Sequence, residues 1–269
     1  MTVPTESFRR AIELQQEMEE RSYTRKEMTP IGPVFFHDDY PHKWDLNFVR
    51  VERDATFDEI IAAADQALGG AGLKHRKVHI YDHRLGDRLA SNFKDAGWRV
   101  DHLVLMVLMS GVAKEGTLEV KEVSLEEMLP VWITNDLTDN PKLTRAEAEM
   151  VAASNRVTTA AIETHFYAAD VGDEVAGWCE LYLENGMAQI ENVGTHQRYR
   201  KRGASTSVVT HAITTAKETG AELIFLVADQ NDWPKEYYAR LGFEPGGYFY
   251  EFVMPAHEEP ATPEDPISS

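Results

Sequence analysis

The chain has 269 residues, 43% of them hydrophobic, enough for one large core or two smaller ones. Its 27 basic residues face 45 acidic ones, and the net charge of −18 repels phosphate backbones, which argues against nucleic acid or anionic membrane as a partner. One cysteine, Cys179, permits no intrachain disulfide. With no apolar signal-peptide core near the start and no run long enough to span a bilayer, a cytoplasmic protein is expected.

In chain order, residues 5–22 suit a helix with Thr5 or Ser7 as its start signal. Pro and Gly then punctuate a short aromatic strand around Phe35. His37, Asp38, Asp39 and His42 follow at no common ligand spacing, so no metal is expected. WDLNFVRVE reads as a strand, TFDEIIAAADQALGGAG as a helix ended by glycines, and KVHIYD as a strand. RLGDRLASNFKDAGW reads as a helix stopping at Gly97, and WRVDHLVLMVLM as a long apolar strand.

After a break at SGVAKEGT the pattern restarts with strand LEVKEV and a helix opened by Ser124 and Glu127 as a capping box. A second helix covers TRAEAEMVAASNRVT. Strands are expected near 164–171, at 174–183 and at AQIENVGT. A helix runs from Gly203 to about Glu218, then strand ELIFLVAD, a short helix in DWPKEYYARLG and terminal strands around GYFYEFVM. The last 15 residues, rich in proline and acid, are expected to be disordered. The divisions are therefore 1–28, an N-terminal helix; 29–115; 116–256; and 257–269, the tail. The fold class is α/β (α+β), with a mixed, mostly antiparallel sheet flanked by helices.

The stretch THQRYRKRGASTS crowds Arg198, Arg200, Lys201 and Arg202 against Gly203, Ala204 and Ser205. It lies where a strand gives way to a helix, so free backbone N–H groups and the positive end of the helix dipole point outward together. Glycine admits a close ligand and the arginines add charged donors, which suits a diphosphate.

Arg200 to Ser205 resembles the Q/R-x-x-G-x-G/A loop of the GNAT superfamily of acyl-CoA-dependent N-acyltransferases, with Ser205 in a position usually held by Gly or Ala. NDWPKEYYARLGF, Asn231 to Phe243, is similar to that family's later motif, Asn followed by a short helix ending in Tyr-x-x-x-Gly-Phe. The resemblance covers about 117–255. It implies a GNAT fold in the C-terminal half, acetyl-CoA as cosubstrate with no metal, and a small-molecule amine as acceptor. It further implies coenzyme contacts from Arg200, Lys201, Arg202, Gly203, Ala204 and Ser205 and from the strand backbone at Val193, Gly194 and Thr195. Asn231 is a coenzyme contact by resemblance and equally a helix N-cap by its position. A mycothiol synthase-like acetyltransferase and a non-catalytic acyl-CoA-binding scaffold are the competing readings.

Two residues carry the expected chemistry. Strand alternation sets Gln189, Glu191, Val193 and Thr195 on one face, where Glu191 is the candidate base, directly or through water, or else a carboxylate paired with a nearby cation. Tyr238, four residues before Gly242, matches the tyrosine that protonates the coenzyme A thiolate; Tyr237 beside it is the alternative by position alone. A weak internal repeat pins Gly97 to Gly242 and sets Phe93 opposite Tyr238. Residues 29–115 therefore resemble a partial GNAT-like copy, lacking the glycine loop and the tyrosine, expected to neither bind coenzyme nor catalyse.

Overall fold

The computed structural model describes residues 5–109 and 116–255; the expected tail and most of the expected break at 110–117 lie outside them. Helix α1 (Glu6–Arg21) starts where Thr5 Oγ1 accepts the Phe8 N–H at 3.1 Å. Strands β1 (Arg25–Thr29), β2 (Gly32–Phe36), β3 (Phe48–Arg50) and β4 (Arg76–Ile80) follow, with α2 (Phe57–Ala64) between β3 and β4. Then come α3 (His83–Asp95) and β5 (Arg99–Leu108).

The second region begins at β6 (Val120–Val123), and the helices α4 (Leu125–Asp139) and α5 (Arg145–Ala161) each open on a complete capping box, Ser124 with Glu127 and Thr144 with Glu147. An antiparallel run of β7 (Glu163–Val171), β8 (Glu174–Glu184) and β9 (Met187–Thr195) leads to α6 (Ala204–Glu218), β10 (Leu223–Asp229), α7 (Pro234–Arg240) and β11 (Phe243–Met254). Strand β1, polar and largely exposed, lacked the apolar alternation that marks a strand. The expected terminal strands are one strand, bent by a register shift between Pro245 and Gly247.

The eleven strands of the described residues form one sheet in the order β1-β2-β3-β4-β11-β5-β10-β9-β8-β7-β6. The two strands at its centre are exchanged between the regions. β5 lies between β10 and β11, while β11, the last strand, lies between β4 and β5. Each follows a short helix and a glycine with positive φ, Gly97 (81°) or Gly242 (98°), so the sequence repeat appears in space as two antiparallel strands side by side.

Alternation along β5 sorts the layers. Val100, Val104 and Met106 turn to the face covered by α2, α3, α6 and α7; Leu103, Leu105 and Val107 turn to the face crossed by α1. α4 and α5 pack on that second face over Phe166, Ala168 and Trp178. Phe252 of β11 is fully buried among residues of the first region, its ring 3.9 Å from that of Phe93. Phe252→Ala should therefore cost about 3–5 kcal/mol and, because β11 joins the two regions, lower a single unfolding transition followed by denaturant titration. Two separate transitions, only one of them shifted, would contradict the shared core.

Candidate active site

The basic loop ends at Gly203, which occupies the N-cap of α6 at φ 86° and ψ 4°, a left-handed conformation that glycine adopts without strain. No side chain caps this helix, and its first backbone bond runs from Ser207 N–H to Gly203 C=O at 3.0 Å. The amides of 204–206 thus have no intrahelical acceptor, at the positive end of a four-turn helix. Arg198 and Tyr199 bind Glu174, and Arg200 lies 3.5 Å from Asp139. Lys201 and Arg202 are exposed, with no ion pair among the described residues.

The small residues after the glycine serve packing as well as access. Ala204 is buried against Gly177 of β8, where any Cβ would stand 2.8 Å from its own. Ser205 hydrogen-bonds Thr195 through the two hydroxyls and so ties the helix to the end of β9. The hydroxyl at this position thus makes one added bond. Asn231 is exposed and is not the N-cap of α7, which is Trp233; its backbone N–H donates to Asp229 Oδ1 at 2.7 Å.

β9 and β10 pair in parallel at only three positions, ending at Gln189 and Phe225. Beyond them β9 stays with β8 and β10 with β5, so a gap opens between residues 190–195 and 226–229. The strict alternation expected along β9 fails here, because a bulge opposite Cys179 puts Asn192 at φ 48°. Gln189 and Glu191 face the α1 side, whereas Val193 packs into the core under α6 and Thr195 reaches Ser205. Gly194 lies under the Trp178 ring, 2.2 Å from where a Cβ would stand.

Glu191 accepts a hydrogen bond from Gln189 Nε2 at 2.7 Å and has no cation within ion-pair range among the described residues. Burial pushes its carboxyl up to about 7, against the Gln189 bond and with help from the charge of Glu180. Tyr238 is buried in the α6-side core, 6.2 Å from Phe243 between ring centroids. Burial raises its phenol, and the charge of Glu191 raises it further. Tyr237 instead donates its hydroxyl to Thr206 Oγ1 at 3.3 Å, in the first turn of α6.

On the α1 side the gap opens into a cleft of about 690 Å³, floored by the sheet and walled by α1, α4 and α5. Glu180, Tyr182, Gln189, Glu191 and Asn192 line one part; Glu19, His79, Tyr81 and Glu251 line another. The sequence reading missed Glu180 and Gln189, although a glutamate inside the apolar run GWCELYLE is itself a signal of a buried polar site.

The sequence model of the acetyltransferase (GNAT) family matches residues 133–243, from within α4 to the start of β11. The chain carries a GNAT acetyltransferase domain. Its class of chemistry is acyl transfer from coenzyme A, and the chain is an enzyme of the N-acetyltransferase type. No curated protein matches it. Among solved structures it is similar to a conserved protein of unknown function from Staphylococcus epidermidis (14% identity, 87% of this chain and 92% of that one, TM-score 0.64). It also resembles a GCN5-related N-acetyltransferase from Kribbella flavida (16%, 94% and 96%, 0.59). A third similar structure is a tandem GNAT protein from the clavulanic acid biosynthesis pathway (14%, 85% and 79%, 0.51). These likenesses concern the fold.

The GNAT domain and the region before it differ at equivalent points. α2, like α6, follows a strand that pairs in parallel with the next, but Thr56 and Glu59 form a full capping box and fill its N-terminus with the chain's own carboxylate. Phe93 occupies the Tyr238 position, packed on Phe57, Trp98 and Phe252. Cys179 faces the α6 core, with burial raising its thiol well above the usual range. The native protein should therefore react with a thiol reagent only after denaturation, as read by absorbance of the released chromophore; rapid labelling of folded protein would contradict this burial.

Proposed function

We propose that the protein transfers an acetyl group from acetyl-CoA to the primary amine of a small molecule by direct attack within a ternary complex. The observation that carries this reading is the gap between β9 and β10. It runs from the uncapped start of α6 to the cleft where Glu191 stands without a cation among the described residues, its carboxyl pushed up by burial.

The free amides at 204–206, with Lys201, Arg202 and Arg200, suit the pyrophosphate and 3′-phosphate of the coenzyme. The open edge of β9 at Val193, Gly194 and Thr195 suits the pantetheine arm, paired as an added strand, with one N–H turned to the thioester oxygen. Asn231, exposed beside the start of α7, is a further coenzyme contact in this reading.

An alkylamine with a pKa near 10 arrives as ammonium. Glu191, ionised above about pH 7, takes its proton. The freed nitrogen attacks the carbonyl carbon, the carbon–sulfur bond breaks, and Tyr238 gives its hydroxyl proton to the departing sulfur. A raised phenol pKa keeps Tyr238 protonated for that step. Residues before the GNAT domain act as the far wall of the acceptor cleft through Glu19, His79 and Tyr81.

The sign of the pH dependence follows. The base form exists above its pKa, so kcat should fall about tenfold per unit well below pH 7. Glu191→Gln should lower kcat by about 10²–10⁴-fold and abolish that limb. Thiol release by wild type and variant across pH 5.5–9 checks both. An unchanged limb in the variant would remove Glu191 from this role. Tyr238→Phe should depress kcat while leaving acetyl-CoA affinity within about threefold, read by turnover and titration; undiminished turnover would sink the assignment of the acid.

A further inference from the structure

The cleft holds more carboxyl groups than cations to pair them. Three of its carboxylates are neutralised by this chain: Glu19 by Arg50 at 2.8 Å, Asp45 by Lys43 at 3.1 Å, and Glu251 by Lys77 at 2.8 Å. Four others, Asp136, Glu180, Glu191 and Asp229, have no ion-pair partner among the described residues. Lys43, the cation whose charge reaches both Asp136 and Glu180, is already bonded to Asp45.

Glu180 and Glu191 stand directly opposite each other on β8 and β9. Like charges so opposed are unfavourable, and Glu180, 2% exposed, receives only neutral donors: Tyr182 Oη and Asn192 Nδ2, each at 2.5 Å. Beside them, and independent of the charge count, Gln189 spends its amide nitrogen on Glu191 and leaves Oε1 with no partner at 3% residue exposure. A buried carbonyl without a donor, next to two carboxylates without a cation, calls for a ligand that brings N–H groups and positive charge.

One ammonium at Glu191, Glu180 and Gln189 leaves two carboxylates without a cation: Asp229, which accepts the Asn231 N–H, and Asp136 on the helical wall of the cleft. Aromatic rings, Trp132, Trp178, Tyr81 and Phe249, also line the cleft and suit an alkyl chain and the face-on approach of a cation. An acceptor bearing a carboxylate would find no uncommitted lysine or arginine among the described residues of the cleft.

Building on the N-acetyl transfer proposed above, we propose that the acceptor is an aliphatic dication: two protonated nitrogens joined by an alkyl chain, one acetylated at Glu191, the other held by Asp136. The test compares 1,4-diaminobutane with 1-aminobutane, by calorimetric titration into the protein saturated with coenzyme A and by thiol release with acetyl-CoA. The diamine should bind at least about tenfold more tightly and show a correspondingly higher kcat/KM. Asp136→Asn should narrow that ratio, and Asp136→Glu should restore it. Equal affinity for the two amines overturns the dication whatever the turnover. If turnover with both is then present and equal, N-acetyl transfer itself stands. If no amine in the series releases thiol, the transfer reading fails, and the titration alone decides the dication.

Discussion

The pairing of β9 with β10 stops at Gln189 and Phe225, and the chemistry assigned to this protein depends on that stop. Beyond it the sheet is held together on either side of the gap by β8 and by β5, so the opening is enforced by strands that remain paired. The bulge at Asn192 then reverses the alternation of β9. One short strand thereby sends Glu191 to the cleft and Val193 with Thr195 to the helix that follows the basic loop. Two opposed faces of the sheet meet at a single break in its hydrogen bonding.

Strand exchange makes that break stable. β5 supplies β10 with a partner that the GNAT domain does not contain, and β11 returns the favour by closing the first region against β4. The first region repeats the helix, glycine and strand order of its counterpart but differs from it at the start of α2 and at Phe93. The start of α2 is occupied by Glu59, and Phe93 sits in a stack of aromatic rings where the other half has a tyrosine. What it retains toward the centre is a set of charged and aromatic side chains, Glu19, His79 and Tyr81, that face the cleft. Arg50 bonds Glu19 there, and Lys77 bonds Glu251, so buried charge on that side is internally matched.

Much of this was legible in the sequence, because the signals were local. The capping box at Ser124, the glycine after basic residues, and the Tyr-x-x-x-Gly-Phe spacing depend on contacts within a few residues. The exchange of β5 and β11 was not legible, since both strands read as apolar runs and nothing local says which neighbours they take. The register beyond Glu191 was misread for a related reason: a bulge inserts one residue into a strand without changing its composition, and only Asn192, a residue tolerant of positive φ, hints at it. The pairing of Glu180 with Glu191 joins residues on two strands, and their common exposure to the cleft needed the fold.

The central claim is that one coenzyme site exists per chain, at the start of α6, and that the equivalent site in the first region is closed. A calorimetric titration of acetyl-CoA into the full chain, beside a variant carrying Lys201→Glu and Arg202→Glu, tests it most directly. Both residues are exposed and unpaired among the described residues, so the reversal should leave the fold intact. The account predicts a single site per chain with a micromolar dissociation constant, weakened by about a hundredfold in the variant at low salt. Two sites per chain, or binding indifferent to the charge reversal, would contradict it.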